Sequence, residues 1–315
     1  MAKGKTLSSA TVWVVPVLLA ILIFAMAART PLDSDMWWHL RAGEVTLTSR
    51  QPLLTDIFSS IQAGSQWINH SWLSQVGMYL LFRSGGYLAL GAAVAVLATL
   101  SMMLVYLQMS GSPLLRAFLL VLGAAVCAPV WTPRPQLVSL VLFAGLAYLL
   151  YLYKWRQRNL LWLSVPLFVL WSNLHGGYVL GLLLMGSILV GELLNHGLGF
   201  NLENLLSWRS CGKLALWLGL AGLVVVINPN GVAMWTIPFK TIGVNAVQQS
   251  IDEWGSPNFH ILIQQPMIWL LLATLGAIGL SSRRLDGSDL VSLGLFTYLA
   301  LLARRNFGPF TDIMV

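Results

Sequence analysis

Nine apolar stretches separated by short loops run along this chain, and threading them alternately through a bilayer brings its chemically rich segments to one face. Those segments are DSDMWWHL, NHSW, WTPRPQ, NLHGG, NPNG, DEWGSPNFH and RRN. Hydrophobic residues make up 57% of the chain and charged residues 9%, too few to cover the surface of a soluble globule. The fold class expected is all-α, a polytopic membrane protein with about nine spans, because a bilayer core takes roughly 20 apolar helical residues. The runs are long and rich in Leu, Ala and Gly, without the alternation of a membrane barrel.

The expected spans are Ala10 to Ala28, Tyr87 to Leu107, Leu114 to Val130, Leu137 to Tyr153, Leu160 to Asn173, Tyr178 to Gly191, Leu214 to Ile227, Pro266 to Leu280 and Leu290 to Ala303. The fifth and sixth are short and flank NLHGG, so a re-entrant pair is the alternative for them. They belong to one transmembrane domain, 1–315, with a first outer loop at 29–86 and a second at 228–265. Lys3 and Lys5, then Lys154, Arg156 and Arg158, then Arg283 and Arg284 fall on one side, which the positive-inside tendency makes the cytoplasm. The first span reads as a retained anchor, with a cleaved signal as the alternative. Cys127 and Cys211 lie at opposite ends of this threading, so no bridge between them is expected. A net charge of +7 suits an anionic membrane surface or a phosphate-bearing ligand, and nothing points to nucleic acid.

The first outer loop carries the most information. Pro31 ends the first span and Asp33 can cap a new helix, on which Asp35, His39, Ala42, Thr46 and Ser49 share one face. Met36, Leu40, Gly43 and Leu47 line another, with Trp37 beside them, giving an amphipathic helix in the interface. A second interfacial helix starts at Ser71, with Trp72, Leu73, Val76 and Leu80 apolar and Asn69, His70 and Gln75 polar. Asp35 and His39 are four residues apart and Asp33 is one residue outside the same turn. That set suits either a divalent cation such as Mg or Mn, held by Asp35 and His39, or proton removal from a hydroxyl. Helix capping and dipole compensation are the plain alternative.

Arg134 between two prolines offers a fork of donors to a phosphate, or to lipid headgroups. His175 precedes Gly176 and Gly177, which permit close backbone approach. NPNG reads first as a turn, and Glu253 as either a solvated acid or a site residue. Arg304 and Arg305 close the ninth span against the positive-inside tendency, which favours an anionic partner. Trp37, Trp38, Trp67, Trp72, Trp131, Trp171, Trp235, Trp254 and Trp269 form an interfacial belt or, for a few, a sugar-stacking surface. No charged residue falls near the middle of a span, which argues mildly against a coupled carrier.

DSDMWWHLRAGE, INHSWLSQ, RPQ, WSNLHGG, INPNG, EWGSPNF and RRNFGPF together resemble a family of bacterial polytopic proteins grouped with the GT-C membrane glycosyltransferases. The resemblance covers most of 30–310. It implies a sugar carried on a polyprenyl phosphate, transferred at the periplasmic face of the cytoplasmic membrane, with the N-terminus cytoplasmic. Asp33 and Asp35 take the place of the D-x-D acids, one as base and the other as cation ligand or acceptor orienter, and Glu253 joins them as a catalytic candidate. Arg134, His175, Arg304 and Arg305 are the candidates for meeting the departing negative charge, and His39, His70 and Trp72 join them in substrate binding. GT-C enzymes often carry more spans and a soluble C-terminal domain, so a longer protein, or membrane partner subunits, are expected. The other readings are a non-catalytic scaffold with the same fold and a transporter of lipid-linked sugar.

Overall fold

The computed structural model describes residues 9–200, 202–242, 251–282 and 285–315. Lys3, Lys5, Arg283 and Arg284, which contributed to the orientation argument, lie outside them. Helices form where the apolar runs are: α1 Ser9–Ala27, α2 Met36–Ser49, α3 Trp72–Tyr106, α4 Pro113–Cys127, α5 Gln136–Lys154, α6 Ser164–Leu174, α7 Tyr178–Gly197, α8 Trp208–Val224, α9 Ile237–Ile242, α10 Gln265–Leu280, α11 Gly287–Leu302 and α12 Phe307–Met314. Among the described residues the extended pairing amounts to a single bridge, Thr55 to Gln66. Among the described residues five helical segments are long and apolar enough to cross a bilayer: Trp72–Tyr106, Pro113–Val130, Gln136–Lys154, Tyr178–Gly197 and Leu262–Leu280. Trp13–Ala27, Leu161–Leu174 and Gly287–Leu302 are shorter apolar helices.

Local signals set the helix limits. Ser112 accepts from the Leu115 N–H with Pro113 in the first turn, Ser207 caps α8 through Ser210, and Asp286 caps α11 through Ser288. α3 is broken at Gly85 and Gly86, the latter at φ +59°, so Trp72–Ser84 and the residues from Tyr87 on are two helical segments joined by a kink. α2 crosses it so closely that a Cβ at Gly43 would lie 2.1 Å from the Gln75 carbonyl oxygen. On the α2 face that Asp35 and Ser49 share, His39, Ala42 and Thr46 are buried: Gln75 partners the His39 ring and the Leu53 N–H donates to Thr46 Oγ1.

One apolar core joins α5, α6, α7, α8 and α11, and another joins α1, α3, α4 and α5. Cys127 and Cys211 are buried, free thiols. α5 and α7 run parallel to each other and antiparallel to α11: Ser139, Gly177 and Ala303 meet at one end, Lys154, Glu192 and Ser288 at the other. At that second end the fully buried Lys154 ammonium contacts Glu192, Ser288 and, at 2.6 Å, Asp286. Glu192 also accepts from the Leu206 N–H at 2.7 Å and Asp286 from Asn195 at 2.9 Å. Sequence reading placed Lys154 among interfacial basic residues and left Glu192 one position past the sixth span, so this network went unnoticed.

Candidate functional site

Segments far apart in sequence converge at the Ser139 end of the bundle. Asp33 accepts the Asp35 N–H at 2.9 Å in the turn before α2, whose N-cap position is taken by Asp35 without a side-chain capping bond. Asp33 also accepts from Arg134 Nε, which sits 2.7 Å from both carboxylate oxygens. Arg134 is held there by the WTPRPQ turn, where its N–H bonds the Thr132 carbonyl. Its Nη1 reaches Glu253 at 2.8 Å and Asp35 at 3.2 Å. Glu253 in turn lies 3.9 Å from Arg305, whose guanidinium covers the Trp254 ring at 4.1 Å. The result is an ion chain of alternating sign running from the first outer loop to the end of α11.

Burial opposes the charge on Arg134, but the Asp33 hydrogen bond and the Glu253, Asp33 and Asp35 charges outweigh it and raise its pKa. The fork that sequence reading offered to a phosphate is therefore occupied by three carboxylates. Arg305 keeps the freer cation: burial lowers its pKa, Glu253 offsets part of that, and guanidinium stays charged at neutral pH. Arg304 points elsewhere, with its side chain on the Asp252 carbonyl and its N–H on the Gly255 carbonyl, and so pins the 252–255 turn.

Next to Arg305 opens a cavity of about 650 Å³ lined by His70, His175, Gly176, Gly177, Ser139, Gln136, Trp254, Gly255 and Asn306. Its apolar side is formed by Leu140, Phe143, Leu180, Leu183, Leu299 and Leu302. None of the described residues lining it is acidic. The two imidazoles meet edge to face, 5.6 Å apart. His70 Nδ1 accepts from the Gly176 N–H at 3.1 Å and faces the Ser71 hydroxyl at 2.7 Å. His175 Nδ1 accepts from the Gly177 N–H at 3.1 Å and from Ser139 Oγ at 2.7 Å. Trp171, a donor only, supplies its indole N–H to Ser139 at 2.7 Å, so the serine proton turns to His175. A Cβ at Gly177 would stand 2.6 Å from Ser139 Oγ, which is why the second glycine of NLHGG carries no side chain. Burial lowers the His70 pKa to about 4 and holds His175 well below its ordinary value, so both rings are neutral at pH 7.

Other expected site residues have structural partners. His39 Nδ1 faces Gln75 at 3.3 Å, and burial with the Arg134 charge lowers its pKa to about 3. Asp35 and His39 thus take separate partners, and among the described residues no group of three metal-ligating side chains converges. Donors arranged in this way fit a divalent cation poorly. Trp72 gives its indole N–H to Asn173 at 2.9 Å within a bracket that includes Asn228 and Asn230 of NPNG, with Asn230 reaching the Asn69 carbonyl. NPNG is therefore a clamp that joins the end of α6 to the 69–72 segment. Trp171 is fully buried, outside any belt, and a second aromatic group gathers Trp38, Trp67 and Phe58 beside α2.

Sequence reading missed Ser139, which sits in an apolar run with no local signal of a polar task, and placed Trp171 with the belt or stacking tryptophans rather than as a hydrogen-bond donor to that serine. Gly177 was legible as a close-approach glycine. Compared with known proteins, the chain matches no family model and no curated protein.

Proposed function

We propose that this chain is a GT-C-like membrane glycosyltransferase that spans the cytoplasmic membrane of a bacterium about nine times and moves a sugar from a polyprenyl phosphate to an acceptor at the periplasmic face. The observation that supports this reading is the ion chain Asp33, Arg134, Glu253, Arg305 at the rim of an amphipathic cavity. It joins carboxylates able to take a proton to a cation and N–H donors able to receive a phosphate, beside a wall fit for a hydrocarbon chain.

In the reaction proposed, an acceptor hydroxyl attacks the anomeric carbon as the bond from that carbon to the phosphate oxygen breaks. Asp35, which keeps 43% of its side-chain surface exposed, takes the hydroxyl proton. Asp33, only 6% exposed and bound through both oxygens, orients Arg134 and the α2 turn. The electron pair leaves with the phosphate, whose charge Arg305 meets directly, while Arg134 compensates the Glu253 carboxylate beside it. No step is routed through a metal ion.

Exchanging Asp35 for Asn in membrane vesicles supplied with polyprenyl-phosphate hexoses tests the reading. Loss of transfer by about 10²- to 10⁴-fold with normal insertion supports it. Unchanged transfer overturns it, and a wild-type chain that transfers no sugar points to a scaffold. A transport reading draws on a second cavity of about 1110 Å³ near the Lys154 end, lined by Arg156, Asp286, Asp289 and Asp312. Movement of labelled polyprenyl phosphate across sealed vesicles without transfer would favour it.

A further inference from the structure

The two histidines of the cavity are held in the same way by unrelated segments. In His70 the Nδ1 lone pair is taken by the Gly176 N–H, and in His175 by the Gly177 N–H and the Ser139 hydroxyl. With Nδ1 an acceptor in both rings, the proton resides on Nε2. Nε2 has no partner in either ring among the described residues, although both rings line the cavity that Arg305 enters. Two N–H donors and one guanidinium therefore share a corner that holds no carboxylate, and the remaining wall is Leu140, Phe143, Leu180 and Leu299.

We propose that His70 and His175 act as a matched pair of neutral Nε2–H donors which, with Arg305, bind the phosphate of a phosphate ester on an apolar chain, and that Ser139 and Trp171 are positioning residues for His175. The assignment deepens the transferase reading, on which its lipid-borne source rests, by fixing where the phosphate sits and in what protonation state the protein meets it. Neutral donors suit this corner better than imidazolium. Two imidazolium rings 5.6 Å apart beside Arg305 would place three cations together, while the groups facing them from neighbouring elements are the Arg305 guanidinium and the neutral His39 ring, with Glu253 on the far side of Arg305. The low pKa values of both rings agree with the geometry.

The test uses the full chain in phosphatidylcholine nanodiscs, with farnesyl phosphate as probe and farnesol and inorganic phosphate as controls. Nitrogen NMR of protein labelled on its histidine rings reads the tautomers, five histidines being few enough to resolve. The expected result is neutral Nε2–H for His70 and His175 from pH 5 to 8, with both Nε2 signals shifting on farnesyl phosphate and little response to either control. His175→Leu and His70→Leu each lose about tenfold in affinity, one hydrogen bond's worth. His175→Gln, whose amide nitrogen falls near Nε2, keeps most of it, whereas His175→Asn, whose donor sits near Nδ1, does not. That Gln and Asn pair decides the matter if the Leu variants fail to fold. The ratio of wild-type to His175→Gln affinity stays flat between pH 5 and 8, the ligand's own ionisation cancelling in it. Ser139→Ala broadens the His175 signals and costs a few-fold while His39, an internal control for folding, is unmoved.

Imidazolium signals at pH 6, an Nδ1–H tautomer, or Leu variants that bind unchanged would overturn the proposal. Inorganic phosphate binding as tightly as farnesyl phosphate would overturn its lipid-borne source. Farnesyl phosphate binding as expected in a chain that transfers no sugar leaves the donor pair standing and sinks the transferase instead.

Discussion

Replacing Lys154 with Met removes the cation that holds α5, α7 and α11 together while keeping the bulk and apolar stem of the side chain. Lys154 and Glu192 are both fully buried, and Asp286 is partly buried at the edge of the second cavity. The variant leaves two carboxylates with no counter-charge. Their residual partners are neutral: the Leu206 N–H and Asn195 for Glu192, and Asn195 with the Ser288 N–H for Asp286. Breaking a buried pair by removing one partner costs about 3 to 5 kcal/mol. Set against a total stability of roughly 5 to 15 kcal/mol, that is enough to unfold a large share of the molecules near physiological temperature. Removing Glu192 as well, as Lys154→Met with Glu192→Met, should restore part of the loss, and the coupling between the two should reach about 2 to 3 kcal/mol. Denaturant unfolding in detergent micelles, followed by tryptophan fluorescence at matched protein concentration, measures all three variants. A Lys154→Met protein within about 0.5 kcal/mol of wild type, the size of an ordinary surface substitution, would refute the reasoning. So would strict additivity of the pair.

Gly43→Ala should separate α2 from α3, since its Cβ would lie 2.1 Å from a backbone oxygen that cannot rotate away; a cost of about 1 to 3 kcal/mol and faster proteolysis within 50–66 are expected. Acid should destabilise the Ser139 end of the bundle. The folded state holds His70 neutral to about pH 4 and His39 to about pH 3, whereas the unfolded chain protonates both near pH 6.5, so stability falls as pH drops from about 6.5 toward 3. Each ring should contribute up to about tenfold per pH unit in the unfolding equilibrium, and His70→Gln should make the acid limb shallower. Arg304→Ala should release the 252–255 turn, read as faster cleavage there, while leaving the Lys154 end and its unfolding midpoint almost unchanged.

Much of this architecture is legible in the sequence because bilayer-length apolar runs, Pro113, and serines at 112 and 207 mark helices without reference to tertiary contacts. That Asp33, Asp35, Arg134, His175, Glu253 and Arg305 gather at one end of the bundle was legible because each is a polar residue in a loop between apolar runs. Their pairing was not. That Arg134 would spend its fork on carboxylates, and that His39 would turn inward to Gln75, depends on how α2 crosses α3, which no local pattern encodes. Lys154 and Glu192 escaped for another reason. Each lies near a helix end, where a charge is ordinarily solvated, and only their mutual approach at the α7 and α11 crossing buries them.

Net charge at the Ser139 end of the bundle is sorted by side, three carboxylates outnumbering Arg134 on one of them. The carboxylates of Asp33, Asp35 and Glu253 lie toward the first loop, and the guanidinium of Arg305 faces the chamber beyond. An electric gradient is thereby frozen into the backbone that carries these groups. Anything bearing a proton to lose is drawn to one slope of it and anything bearing negative charge to the other, so two guests would arrive already facing each other.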